Sequence, residues 1–176
     1  KILKKNSVKI IKNPKEIIER LVDGEILGIF NDRAEFGARA LGNRSILARP
    51  DLKGTVKKIN EAVKNRDFWM PFAVTILSEH HKKFIINKKS LKSSHMTMGF
   101  DTIKKNLKFI MSGTHPYDET VRPQILEKEF NPKYYDLIYR FYKRTKIPAL
   151  LNTSLNLHGK PTVNNLKQAI YTLNNS

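Results

Sequence analysis

The chain has no cysteine, a single tryptophan, and 16 acids against 33 lysines and arginines. Without cysteine there can be no disulfide and no thiolate metal site, which fits a reducing, cytoplasmic setting. No window comes near the roughly 18 uninterrupted apolar residues that a membrane span needs. Lys1-Ile-Leu-Lys-Lys5 has neither the apolar core nor the cleavage site of a signal peptide. A membrane is therefore not an expected partner. The five histidines (His80, His81, His95, His115 and His158) form no helical His-x-x-x-His pair, so no metal site is expected. Gly-x-Gly-x-x-Gly, the Walker-type phosphate loop and the Gly-x-Ser-x-Gly elbow are all missing. Any nucleotide site must come from dispersed side chains.

What is present is positive charge, +17 in formal terms over 176 residues. That balance favours anionic partners: nucleotides, nucleic acid, anionic lipid or an acidic sister domain. Much of the excess is lysine in polar stretches such as Lys82-Lys-Phe84 and Lys88-Lys-Ser-Leu-Lys92. Nucleic acid is accordingly not the expected main partner. The length fits one domain with a sizeable core, and 40% hydrophobic content is ordinary for a globular chain.

Alternation in Val8-Lys-Ile-Ile11 predicts a strand, and Asn13-Pro14 opens a helix closed by Gly24. Glu25-Ile-Leu-Gly-Ile-Phe30 and Ser45-Ile-Leu-Ala48 predict short strands. Gly54 to Val63 reads as a helix, with Lys64 and Arg66 at its C-terminal end, where cations also complement the helix dipole. Trp69 to Leu77 predicts a core strand, Glu79 to Phe84 a helical turn, and 85–94 a mobile, solvated loop. His95 to Phe100 alternates in strand fashion. A loop and then a strand follow from Thr114 to Leu126. Asn131-Pro132 opens the clearest helix, carrying Tyr134, Leu137, Ile138, Phe141 and Tyr142 on one face. Ile147 to Leu151 predicts a buried strand running into Asn152-Thr-Ser154, and a last helix covers about Asn165 to Leu173.

The densest chemistry lies in Asp32-Arg-Ala-Glu-Phe-Gly-Ala-Arg-Ala-Leu-Gly-Asn-Arg44. Arginine offers a rigid fork of donors that matches phosphate or carboxylate oxygens, and glycine lets a backbone approach a ligand closely. A strand entering such a loop makes an anion-binding corner or, equally on spacing alone, a surface loop of solvated arginines. Hydroxyls and amides at Asn152 to Ser154 sit at a strand's C-terminal end, where open α/β sheets bind ligands.

Arg33-Ala-Glu-Phe-Gly-Ala-Arg-Ala-Leu-Gly-Asn-Arg-Ser-Ile-Leu-Ala48 resembles the signature of the carbamoyltransferase C-terminal domain, found in O-carbamoyltransferases acting on nodulation factors and several antibiotics. The resemblance continues through Ile59-Asn-Glu-Ala-Val-Lys-Asn-Arg66, Pro71-Phe-Ala73, Asp118-Glu-Thr-Val-Arg122 and Leu150-Leu-Asn-Thr-Ser-Leu-Asn156. It implies an α/β, YrdC-like fold, a twisted mixed β-sheet flanked by helices. It also implies that residues 1–176 are the C-terminal domain of a longer chain, a reading the missing initiator Met shares.

The implied reaction takes ATP, with Mg as its companion, and carbamoyl phosphate to carbamoyladenylate. An N-terminal Kae1-like domain holding iron then passes the carbamoyl group to an acceptor hydroxyl. The motif matches place phosphate and carbamoyl binding on Arg39, Lys64, Arg122 and Ser154, with Arg44, Arg66, Asn152 and Thr153 as secondary candidates. A second copy of the chain is a further candidate partner. Four positions depart from the usual pattern: Met70 stands for an arginine, Ala38 for Pro, Asp32 for Gly and Arg49 for Asp. Two alternatives stay open, a basic nucleic-acid-binding module and a catalytically degenerate structural domain.

Overall fold

The computed structural model describes residues 8–65, 67 and 69–176. Asn13 caps helix α1 (Pro14–Val22) by accepting the Lys15 N–H, with Pro14 pre-set for the first turn. Strand β1 (Leu27–Phe30) pairs antiparallel with β2 (Arg44–Ala48), and the arginine-rich loop joins the two. Helix α2 (Thr55–Ile59) runs on into a π-helical turn, Asn60–Lys64. Strand β3 (Ala73–Leu77) is followed by turns and 3-10 helices until β4 (Gln124–Leu126). Helix α3 (Pro132–Thr145), capped by Asn131, leads to β5 (Ala149–Ser154), and α4 (Leu166–Asn174) closes the chain.

The five strands form one sheet in the order β1-β2-β5-β3-β4. Its neighbours are antiparallel except β3 and β4, so the sheet is mixed. Alternation along β2 sorts the two layers. Leu47 packs with Ile18 and Leu21 of α1 and with Ile138 and Phe141 of α3. Ile46 points to Ala169 and Leu173 of α4, and Ala48 to Ile59 of α2. Burying these side chains is the main drive for folding, at about 1.5–3 kcal/mol for each large one.

Four expectations change. Val8 to Asn13 form no strand, and Ile10 is largely exposed. The core strand starts only at Ala73, because Pro71 has no N–H to give a ladder. Trp69 and Met70 stand outside it, each nearly half exposed. Segment 85–94 is not a loose loop throughout: Ile85 pairs with Thr102, and the Asn87 side chain closes a turn onto Leu91. His95 to Phe100 is no regular strand, since Met96 takes a left-handed φ of 55° and is buried.

Candidate functional site

The loop between β1 and β2 is held by Glu35, one of its two acids. Glu35 accepts the backbone N–H groups of Leu41 and Asn43, both at 2.7 Å, and that of Arg44 at 3.3 Å. These charge-assisted bonds turn the chain back so that Ala38, Arg39 and Ala40 form one wall of a hollow. Asp32, where the resembling family usually has glycine, takes φ 43°, a left-handed conformation that glycine adopts most cheaply and Asp tolerates.

A buried polar network fixes the loop to the sheet. Tyr134 O–H and Asn152 Nδ2 both donate to Thr75 Oγ1, at 2.9 and 3.2 Å. Thr75 in turn donates to Gln124 Oε1 at 2.9 Å, and Asn152 Nδ2 also donates to the Ala40 carbonyl at 3.1 Å. Strands β3, β4 and β5, helix α3 and the arginine loop thus share one set of hydrogen bonds. Low dielectric makes such bonds strong and a broken one costly. Burial pushes the Tyr134 phenol above its ordinary range, so it stays a neutral donor. Asn152 Oδ1 is buried and has no hydrogen-bond partner among the described residues.

The hollow is lined by Ala38–Ala40, Pro71–Ala73, Met96, Arg122 and Asn152–Ser154, and its volume is about 80 Å³. A single water takes roughly 10–15 Å³ on that scale, so several small polar groups fit. Arg39 and Arg122 come from separate loops and are both exposed. Neither guanidinium makes an ion pair or side-chain hydrogen bond among the described residues, and both border the end of β5. Two guanidinium forks, whose geometry matches phosphate or carboxylate oxygens, thus border the same hollow as the hydroxyl and amide groups of Asn152 to Ser154.

The other candidates lie elsewhere. Lys64 is buried, 1% exposed, and its ammonium donates to Ser154 Oγ at 3.1 Å and Asn156 Oδ1 at 2.6 Å, and also to both residues' carbonyls. It does not line the hollow; it braces the strand end that does. Arg44 is also buried, with its guanidinium stacked on Phe30 and donating to the carbonyls of Asn31, Asp32 and Asn43. Desolvation lowers its pKa from the usual value, and those carbonyls and the ring take up its charge in the fold. Arg66 lies outside the described residues. Met70 is exposed beside Pro71 but is not part of the lining. Arg49 is paired with Asp51 and the Val22 carbonyl, away from ligand chemistry.

Glu35, Thr75, Gln124 and Tyr134 were not legible as site-building residues in the sequence. For Glu35 there was a signal, since it is the only acid between Arg33 and Ala48.

The mixed sheet flanked by helices, with a hollow at the end of β5, is a YrdC-like fold. The solved structures agree in fold: full-length HypF, in a phosphate- and nucleotide-bound form, aligns over 92% of this chain and 19% of its own at TM-score 0.64 and 16% identity. A Sua5 variant from P. abyssi aligns over 90% of this chain and 42% of its own at TM-score 0.60 and 14% identity. Residues 18–176 match the family described as carbamoyltransferase C-terminus, and the chain belongs to that family.

Among relatives, protein MJ1058 of Methanocaldococcus jannaschii is 39% identical over 90% of this chain and 26% of its own length. Nodulation protein NolNO of Sinorhizobium fredii is 34% identical over 88% of this chain and 23% of its own. A 3'-hydroxymethylcephem-O-carbamoyltransferase of Amycolatopsis lactamdurans is 28% identical over 88% and 29%. The chain spans about a quarter of the length of these curated relatives.

Proposed function

We propose that this domain makes carbamoyladenylate from ATP and carbamoyl phosphate, for transfer to an acceptor hydroxyl by another domain. The observation that carries the reading is the pair of unspent guanidiniums, Arg39 and Arg122, facing the Asn152–Ser154 strand end across one hollow. Carbamoyl phosphate takes up water and releases phosphate. An oxygen of the resulting carbamate then displaces pyrophosphate from the α-phosphorus of ATP.

Both reactants are anions, and negative charge grows on the α-phosphate and leaving oxygens at the transition state. Fixed cations relieve the repulsion and stabilise that charge without acid–base work. Ser154 and Thr153 supply hydrogen bonds that orient the carbamoyl group, and Lys64 holds Ser154 in place. Phosphate and nucleotide named in the HypF structure and the carbamoyl transfer named in the cephem enzyme support the same substrates. The acceptor-binding and transfer steps would belong to the Kae1-like domain expected before this one, and Mg would accompany ATP.

The test is calorimetric titration of ATP, with and without carbamoyl phosphate, into the chain and into Arg39→Ala and Arg122→Ala. Binding that falls at least tenfold in each variant, with pyrophosphate release in the wild type, is expected. A folded chain that binds neither compound would overturn a self-sufficient site and point to a degenerate one or to one completed only by the expected N-terminal domain.

A further inference from the structure

Far along the chain from the arginine loop lies a second concentration of charge. Between Lys82 and Phe109 the sequence carries eight lysines and one acid, Asp101. The fold gathers them. Ile85 pairs antiparallel with Thr102, Ile103 N–H donates to the Phe84 carbonyl, and Asn106 Nδ2 donates to the Lys83 carbonyl. This ribbon sets Lys82 and Lys83 beside Lys104 and Lys105, all four exposed. The turn at its end holds Lys88 and Lys89, closed by Asn87 onto Leu91.

Among the described residues none of these six lysines has an ion-pair partner; Lys92 pairs with Glu127, and Lys108 lies over the Phe109 ring. The nearby Glu79 is taken by the Tyr135 hydroxyl. The turn is also apolar at both ends: Ile86 is 45% and Leu91 42% exposed, bracketing Lys88 and Lys89.

We infer that this lysine ribbon docks on an anionic lipid surface, with Lys82, Lys83, Lys88, Lys89, Lys104 and Lys105 over the headgroups and Ile86 and Leu91 entering the interface. Charge alone would suit any polyanion. Two features select the bilayer. Exposed Ile and Leu side chains gain by leaving water at a membrane interface and gain nothing from a phosphodiester backbone. Phe84 and Phe100 are buried, and Phe109 packs against the core with Lys108 over its ring, so the ribbon offers no open aromatic face for bases. Lysine, a mobile point charge on a long stem, also fits diffuse headgroup charge better than a fixed phosphate geometry. The domain would lie on the membrane without spanning it, and no helix among the described residues is long and apolar enough to cross one.

Co-sedimentation of the chain with phosphatidylcholine vesicles, with and without phosphatidylglycerol, tests this at about 0.1 M salt. Binding only to the anionic vesicles is expected. Each lysine near such a surface is worth about 1 kcal/mol, or roughly fivefold. Lys88→Gln with Lys89→Gln should therefore weaken partitioning more than about tenfold. Ile86→Ser with Leu91→Ser should weaken it several-fold while leaving retention of a duplex oligonucleotide unchanged. All four positions are exposed, so thermal melts should match wild type. No binding to anionic vesicles overturns the inference. So does vesicle binding indifferent to Ile86 and Leu91 that the oligonucleotide competes away, which would assign the ribbon to nucleic acid.

Discussion

The Lys64 ammonium lies 2.6 Å from Asn156 Oδ1 and is almost wholly out of solvent. It joins the π-helical turn after α2 to the chain leaving β5, two segments far apart in sequence. A buried cation survives only when oxygens surround it, and here Ser154 and Asn156 each give a side-chain and a main-chain acceptor.

Replacing that cation should be costly. Lys64→Met removes the cation that four acceptors share, leaving Asn156 Oδ1 with only the Ser154 hydroxyl and the Ser154 carbonyl with only the Asn156 N–H, and the expected loss is about 2–4 kcal/mol of stability. Urea unfolding measures it. A loss below about 0.5 kcal/mol, the range of an ordinary surface change, would remove the brace from the account.

Gly42 and Gly37 share left-handed backbones, with φ of 117° and 105°, but not surroundings. A Cβ at Gly42 would fall 2.3 Å from the Tyr134 ring, whereas one at Gly37 would meet nothing within 4 Å. Gly37→Ala is expected to cost about 1–2 kcal/mol from strain alone. Gly42→Ala should cost about 3 kcal/mol or more, since Tyr134 must also leave its hydrogen bond to Thr75. Equal losses in the two variants would show that the ring moves aside freely.

Alkaline pH should destabilise the fold. The hydrogen bond to Glu79, and then burial, push the Tyr135 phenol up to about 12, and burial pushes Tyr134 up as well. Native phenols hold their protons longer than unfolded ones, so this stabilisation is complete below about pH 10 and drains away as pH climbs towards 12. Absorbance titration of the six tyrosines should show late-ionising groups, and Tyr135→Phe should remove one. A Glu79→Gln titration, with all six phenols kept, that superimposes on wild type would rule out the Glu79 contact as the cause.

The helices were readable because their signals are local. Asn13-Pro14, Asn131-Pro132 and Asn165 each cap a helix where the sequence placed its start. Strand positions were close where alternation met a glycine or proline, and failed at Val8 to Ile11, where no partner strand arrives among the described residues. Of the candidate site residues, the structure assembles Arg39, Arg122 and Asn152 to Ser154 around one hollow. It puts Lys64 and Arg44 inside the fold. Nothing local separates a cation that faces a ligand from one that braces a strand, because the difference lies in acceptors supplied from distant segments. Thr75 and Tyr134 were invisible as site builders for the same reason.

The parallel pairing of β3 and β4 bears on how the hollow comes into being. Arg39 sits in a short connection between two sheet neighbours, a contact closed early and cheaply in a collapsing chain. Arg122 lies two residues before β4, which reaches β3 only after segment 78–123 has looped back through turns and 3-10 helices. Non-local pairing of that kind is slow. In a refolding chain, closure of the hollow should thus come after most of the helical signal has returned, and the centre of the sheet, where β5 must find β2 and β3 across still longer stretches of chain, sets the pace at which the domain becomes competent.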